Sequence, residues 1–312
     1  MKHVICNSVY SPVPDIASLL PSGDSVELLT GYEPVEKPFF NCVSVHLPYA
    51  TDWCGVWTGK RPVTSDVLPD AVKYLYYGGS REEIVDNLKT AMDVAAPLKP
   101  AYAVMHACSS NFDELFERDY SDDDNDVLSV FCEIMNSVAA RYPDGEPPVR
   151  LAFENLWWPG LRLIDASCYR YLEKHIEFEN WCLCLDTGHL LVATKGADSE
   201  KGALEVLNGI VDRYPKDLLD DIVAIHLHVN TSRDVIDGLR STTPDMYSGG
   251  HMERYRRGYS LVTSMDQHRP FTDKGVVQLV ERLSPEYVNH EMGAVEIPDR
   301  VRDYMVQRSL FS

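Results

Sequence analysis

The chain has 312 residues, of which 45% are hydrophobic and 10% aromatic, so it can bury a sizeable core and is not disordered in composition. Its 48 Asp and Glu outnumber 29 Lys and Arg, and the net charge of −19 argues against binding of nucleic acid, whose partners carry basic surfaces. No window approaches the roughly 18 apolar residues of a membrane span. The N-terminal MKHVICNSVY is unlike a secretion signal, and the cysteines lack CxxC spacing. A cytoplasmic globular protein with free thiols and no membrane partner is expected.

Eight short apolar runs along the chain predict β-strands. They lie at 2–8, 25–31, 42–48, 102–107, 149–155, 181–187, 221–227 and 286–292. Amphipathic, helix-like segments such as REEIVDNLKTAMDVAAPL separate the later runs, whereas IASLL at 16–20 is only a stub. Strands that alternate with helices indicate parallel strands joined by crossover helices. Eight such units predict an α/β fold, a single (β/α)₈ TIM barrel over residues 1–312.

Three stretches are predicted to be loop insertions at the C-terminal face of this barrel, at about 49–80, 119–126 and 229–265. The first holds WCGVWTGK, with Trp53 and Trp57. The second is the acidic run DYSDDDND, which is expected to be a solvated loop. The third contains HMERYRRGY and is expected to form a lid over the barrel mouth.

Residues that can bind metal stand at the ends of six consecutive predicted strands. Side chains alternate between the two faces of a strand, so the position within each run predicts which ones point into the barrel. On this parity the last inward residues are His46, His106, Glu154, Asp186, His226 and Glu291. The C-terminal ends of barrel strands surround one pocket, where these side chains should converge. A single His, Asp or Glu at a strand end usually packs in the core or caps a loop, but such residues at six successive strand ends predict a metal site.

Mixed imidazole and carboxylate ligands favour zinc, with manganese or iron as alternatives, over calcium and magnesium, which prefer oxygen ligands. Six ligands exceed what one tetrahedral ion needs, and His189, Asp266 and His268 are further candidates in CLDTGH and SMDQHRPF. Two or three divalent metal ions are therefore expected, an arrangement that hydrolytic enzymes use.

The ordered motifs AFEN, CLDTGH and IHL, with a late strand ending in Glu, resemble the xylose isomerase-like TIM barrel superfamily, and most closely its endonuclease IV branch (AP endonuclease family 2). The resemblance covers nearly the whole chain. It implies three zinc ions, the first held by His46, His106 and a bridging Glu154, the second by Glu154, Asp186, His226 and Glu291, and the third by His189, Asp266 and His268. The isomerase and epimerase branches of the superfamily usually hold one ion, at the positions that correspond to the second set.

The chain also departs from the pattern of this superfamily. The IHL histidine is followed by His228 and Asn230, where the family has Asn-Asp. Trp157 and Trp158 lie just beyond the Glu-Asn pair, after Leu156, where they could wall the pocket. The acidic net charge argues against the DNA-repair activity of the endonuclease IV branch.

A metal-held water loses a proton near neutral pH and becomes a hydroxide nucleophile. The first expected function is therefore hydrolysis of a phosphoester or related bond in a small molecule, with Glu154, Glu291 and His228 as catalytic candidates. Four basic residues could meet an anionic group of this substrate, although such residues are usually solvated: Arg254, Arg256, Arg257 and Lys274.

Two alternatives remain. A sugar or sugar-phosphate isomerase or epimerase needs one ion and a proton shuttle, for which Glu154 and Glu291 are suited, and would use His46 and His106 to contact substrate. An iron-dependent oxidase would modify a peptide or amino-acid-like substrate, with the aromatic residues of the 49–80 insertion gripping a peptide partner. The fold alone does not choose between these chemistries.

Overall fold

The computed structural model describes residues 1–13, 15–36, 39–117, 119–239 and 248–312. Within them, eight parallel strands close into a barrel in chain order, with β1 hydrogen-bonded to both β2 and β8. The strands are β1 Lys2–Ser8, β2 Ser25–Leu29, β3 Cys42–His46, β4 Tyr102–His106, β5 Leu151–Glu154, β6 Trp181–Asp186, β7 Ile222–His226 and β8 Tyr287–His290. Each lies inside its predicted run, so the expected TIM barrel is confirmed.

Helices in the described residues pack around this barrel and connect its strands. They are α1 Trp53–Thr58, α2 Pro69–Tyr76, α3 Arg81–Ala95, α4 Glu114–Glu117, α5 Asp124–Ala139, α6 Ser167–His175, α7 Thr187–Ala193, α8 Glu200–Val211, α9 Lys216–Asp221, α10 Arg233–Gly238, α11 His251–Met265, α12 Gly275–Leu283 and α13 Ile297–Arg308. Helix α3 is typical: the Ser80 side chain accepts the Glu83 amide at its N-terminus, and an apolar stripe including Leu88 and Met92 is buried. The stub at 16–20 forms a single 3₁₀ turn, Ile16–Leu19.

Most side chains inside the barrel are those that strand parity predicted; Val223 is an exception, since it neighbours the inward Ala224 beside an irregularity in the pairing of β6 with β7. One interior cluster consists of Val4, Tyr102, Val104, Ala152, Cys182, Cys184, Val223, Ala224 and Tyr287. The intervening residues, such as Ala103, Phe153 and Leu183, face the helices and belong to the larger outer core. The candidate ligands at the strand ends therefore lie next to a layer of apolar side chains that fills the barrel interior and excludes water from it.

The first predicted insertion holds α1 and α2, and its two tryptophans belong to the core. Trp53 and Trp57 are only 1% and 6% exposed. The Trp53 indole donates to the Cys108 carbonyl at 3.1 Å, and the Trp57 indole donates to Glu133 at 2.8 Å. The suggestion that these side chains grip a peptide partner is therefore wrong, because both are committed to internal contacts.

The acidic run at 119–126 is only in part the solvated loop that its composition suggests: Asp119, Asp123 and Asp126 are exposed, but other residues of the run are not. Asp122 is buried and accepts from Lys60 at 2.8 Å and from Arg61 at 3.0 Å. Asp123 caps α5 through a reciprocal pair of hydrogen bonds with Asp126. The run lies against cations from the first insertion and also starts a helix, which explains its order despite its charge.

The third predicted insertion contains α10 and α11, while residues 240–247 fall outside the described part of the chain. Helix α11 lies against α4, where the Tyr255 and Phe112 rings are 5.4 Å apart and Arg254 donates to Asp113 at 2.9 Å. The eight cysteines are free thiols, as predicted. Among the described residues, none of the helices has the length and apolar character needed to cross a bilayer.

Candidate metal centre

The C-terminal ends of six strands bring the predicted ligands together. Strands β3 to β7 end on His46, His106, Glu154, Asp186 and His226, and Glu291 directly follows β8. His106 is the register partner of Glu154, and Asp186 is the register partner of His226. Neighbouring parallel strands that end at the same height place these side chains side by side at the barrel mouth.

Glu154 occupies the middle of this group and is only 1% exposed. Its Oε2 lies 3.4 Å from His46 Nε2 and 3.1 Å from His106 Nε2. Its Oε1 lies 2.9 Å from His226 Nδ1. Each carboxylate oxygen thus faces a different set of histidines, which is the arrangement required of a carboxylate that bridges two ions.

A second group of ligands surrounds His226. Its Nδ1 lies 2.9 Å from Glu154 Oε1, 3.0 Å from Glu291 Oε2 and 3.9 Å from Asp186 Oδ2. Although these side chains are close, His226 Nδ1 and Glu291 Oε2 are buried without a hydrogen-bond partner. Buried polar atoms without partners are costly, and a cation between them would satisfy all of these groups. The donor set therefore fits a divalent metal.

The residues predicted for a third ion also meet, despite the long segment between them. His189 Nε2 lies 3.3 Å from Asp266 Oδ2, and His268 Nδ1 lies 3.4 Å from the same oxygen. The Asn230 amide donates to Asp266 Oδ1 at 2.9 Å and holds the carboxylate in place. His268 has a left-handed backbone with φ of 48°, a conformation that non-glycine residues adopt rarely and often at functional sites.

His228 lies between the second and third groups. Its Nε2–H donates to Asp186 Oδ2 at 2.9 Å, and its ring stacks on His268 with centroids 4.1 Å apart and planes 9° apart. A side chain at Gly188 would exclude this ring, because its Cβ would lie 1.9 Å from His228 Cε1. Two parallel stacked imidazoles cannot both aim an in-plane nitrogen at one ion. The geometry therefore gives His228 a supporting position beside the ligands, and its catalytic role stays a prediction.

Backbone carbonyls orient two of the candidate histidines. His46 Nδ1–H donates to the Leu47 carbonyl at 2.8 Å, and His189 Nδ1–H donates to the Asn155 carbonyl at 2.8 Å. Metal-binding histidines ordinarily donate their second ring N–H to such an acceptor, which fixes the tautomer. In both residues this leaves Nε2 free to act as a ligand.

Neighbouring groups of opposite charge together shift the pKa values of Glu154 and His268 in this centre more than burial does. Burial opposes the charged form of Glu154, but His226 and His106 outweigh it and hold the pKa of Glu154 well below its ordinary value. Burial likewise opposes a charged His268, yet Asp266 and Glu291 raise the pKa of His268 to about 10. Glu154 is therefore charged at neutral pH, and metal binding must release the proton that His268 holds there.

A cavity of about 510 Å³ opens beside these ligands. Six aromatic side chains line it: Tyr49, Phe112, Trp157, Trp158, Tyr255 and Tyr259. Trp157 and Trp158 thus wall the pocket, as the sequence suggested. Among the described residues, Arg300 is the one Arg or Lys of the lining, so the four basic residues proposed from the sequence lie elsewhere.

Sequence reasoning missed two side chains next to the ligands. Glu27 of β2 is 1% exposed, and its Oε1 lies 3.0 Å from His226 Nε2. An acidic residue inside the apolar run SVELL was the available signal. Tyr49, three residues after His46, stacks on His106 with centroids 5.0 Å apart.

Residues 78–283 match the family model described as xylose isomerase-like TIM barrel, which is more than half of the chain. The chain belongs to this family. The family resemblance seen in AFEN and CLDTGH is therefore confirmed. No curated protein sequence matches the chain.

Solved structures of enzymes share the fold. A D-tagatose 3-epimerase-like protein has a TM-score of 0.56 at 14% identity, covering 100% of this chain and 97% of that one. Endonuclease IV from Thermus thermophilus has a TM-score of 0.53 at 13% identity, covering 100% and 99%. D-psicose 3-epimerase, crystallised in the presence of D-fructose, has a TM-score of 0.52 at 12% identity, covering 100% and 97%. Identities this low establish a shared fold and leave the reaction open.

Proposed function

We propose that this barrel is a metal-dependent hydrolase that cleaves a phosphoester or a related bond in a small molecule. The observation that carries the proposal is that the two carboxylate oxygens of Glu154 face different histidines. Oε2 faces His46 and His106, and Oε1 faces His226. Together with the separate group around Asp266, this supports a site for more than one ion. Neighbouring ions favour hydrolysis because they stabilise both the attacking and the leaving oxygen.

The residues that would hold the ions form three sets. They are His46, His106 and Glu154; Glu154, Asp186, His226 and Glu291; and His189, Asp266 and His268, whose ligand atoms also lie close to those of His228. When bound, the ions would supply Lewis acidity and a water that deprotonates near neutral pH. Zinc suits this mixture of imidazole and carboxylate ligands, with manganese or iron as alternatives.

The surrounding residues would bind the substrate and exclude water. Four carboxylates of the ligand groups line the centre, so an anionic group has to meet the ions or Arg300 at the cavity wall. Trp157 and Trp158 are mostly buried and present apolar surface on which the rest of a small molecule can pack. A cavity of about 510 Å³ is in the range of small-molecule pockets.

A sugar isomerase or epimerase is the second candidate, because the set around His226 would hold a single ion without the others. Glu154 and Glu291 approach His226 Nδ1 at 2.9 and 3.0 Å from two directions and could then move a proton on the substrate. In this case His46 and His106 would face substrate instead of metal.

Metal content per chain, measured by elemental analysis after anaerobic purification, separates these functions. Two or three zinc or manganese ions, with turnover of a panel of phosphoesters, would support the hydrolase. A single ion that Glu154→Ala loses and His46→Ala retains would favour the isomerase. Two or three irons would favour the oxidase, and a protein without metal would contradict the proposal.

A further inference from the structure

We propose that Glu27 is a positioning residue that holds the His226 imidazole in the orientation needed to bind a metal ion. The proposal rests on the metal site of the proposed function and goes beyond it, since Glu27 lies outside the predicted ligand set. Its Oε1 lies 3.0 Å from His226 Nε2, the ring nitrogen that faces away from the other carboxylates. Both side chains are buried, with exposures of 1% and 0%.

Glu27 is held in place by residues of two other strands. The Ser44 hydroxyl donates to Glu27 Oε2 at 2.8 Å, and the Asn289 amide donates to Glu27 Oε1 at 2.8 Å. The pairing of β2 with β3 also shifts register between Val26 and Glu27, so that Glu27 lies beside Ser44. The carboxylate therefore has little freedom to move away from His226.

The Glu27 carboxylate acts on the imidazole electrostatically. Its Oε1 lies 3.0 Å from His226 Nε2, which is buried and has no aligned hydrogen-bond partner in the described part of the chain, so the contact favours the tautomer of His226 that carries its proton on Nε2. Within the described residues, His226 is the partner with which Glu27 forms an ion-pair contact. The lone pair of Nδ1 is then directed at the space that Glu154 and Glu291 border. Carboxylates that orient a ligating histidine in this way are a common outer shell of metal sites.

A purely structural role for Glu27 would be to tie β2 to β3 and β8 through Ser44 and Asn289. That role predicts a loss of folding stability without a change in ion affinity. A positioning role predicts weaker ion binding at the set around His226, whatever the stability. Ion affinity measured on folded protein therefore separates the two roles.

The test is a titration of the metal-free protein with zinc alone, in competition with a chromophoric chelator. Glu27→Ala should weaken binding of one ion by about 10- to 100-fold, the usual cost of removing such a partner. Glu27→Gln keeps the shape and an oxygen beside His226 Nε2, so its loss should be smaller, and it covers the case in which the alanine variant does not fold. Asp24→Asn is the matched control, a buried carboxylate bonded to Tyr304 and Arg308.

Zinc affinities of folded Glu27→Ala equal to those of the parent would overturn this inference and leave the proposed function standing. Equal weakening by Asp24→Asn and Glu27→Ala would overturn it too, because the effect would then follow stability. A parent protein that binds no zinc, manganese or iron would contradict the proposed function and this inference together.

Discussion

Replacing Glu154 by glutamine removes a negative charge from the middle of the centre while keeping the shape of the side chain. The described residues contain four groups of side chains whose possible ligand atoms lie close enough together to share one ion. Three of these groups include Glu154, and the fourth consists of His189, His228, Asp266 and His268. The ion count should therefore fall to about one per chain, since the amide is a poor substitute for a bridging carboxylate. Each tenfold in rate corresponds to ~1.4 kcal/mol, so losing the several kcal/mol that a bound ion contributes should lower kcat/KM at least about 1,000-fold.

Elemental analysis and phosphoester hydrolysis on the same preparation measure both effects of Glu154→Gln. Glu291→Gln is the matched control, because Glu291 belongs to one group of adjacent ligand atoms. It should remove a single ion and spare the others. Circular dichroism and urea unfolding confirm that both variants are folded. A Glu154→Gln protein that keeps the full parental ion count would refute the bridging role.

Three other perturbations test the centre and its cavity. In metal-free protein, the free energy of unfolding should fall as pH rises from 6.5 to about 10, because folded His268 keeps a proton that the unfolded chain has already released. Denaturant titrations across this range should show the slope, and His268→Gln should flatten it. Gly188→Ala would place a carbon 1.9 Å from His228 Cε1 and should cost about 1–3 kcal/mol in urea unfolding, whereas an unchanged midpoint would argue against the tight packing. Trp158→Ala should raise KM about tenfold by removing apolar surface from the cavity wall, with unchanged metal content as the control measurement.

The barrel and the position of its ligands could be predicted from local patterns. A strand alternates its side chains with period two, so an apolar run that ends in a polar inward residue carries its own orientation. This is why Tyr102, Val104 and Ala152 lie inside the barrel and Phe153 packs on the helices, as predicted. Eight parallel strands that close into a barrel bring their C-terminal ends to one mouth. The meeting of the ligands there can therefore be predicted without knowing how individual side chains pack.

Polar residues away from the strand ends were harder to interpret. The run DYSDDDND resembles a solvated loop in composition, yet Asp122 is buried because Lys60 and Arg61, about sixty residues earlier, meet it. Trp53 and Trp57 were candidates for a partner surface, but their indoles donate within the protein. In each case the partner comes from a separate segment of the chain.

Glu27 shows the same distinction at the centre itself. Its sequence neighbours predict only a strand, whereas its closeness to His226 arises because the closed barrel directs side chains of the non-adjacent strands β2 and β7 into the same interior. Secondary structure and the inward face of each strand depend on local periodicity, so the sequence alone was sufficient for them. A buried charged side chain can bind a metal ion, orient a residue that binds one, or connect two strands. Which of these it does depends on which groups from distant strands lie within about 3 Å of it. Only the tertiary structure brings those groups together.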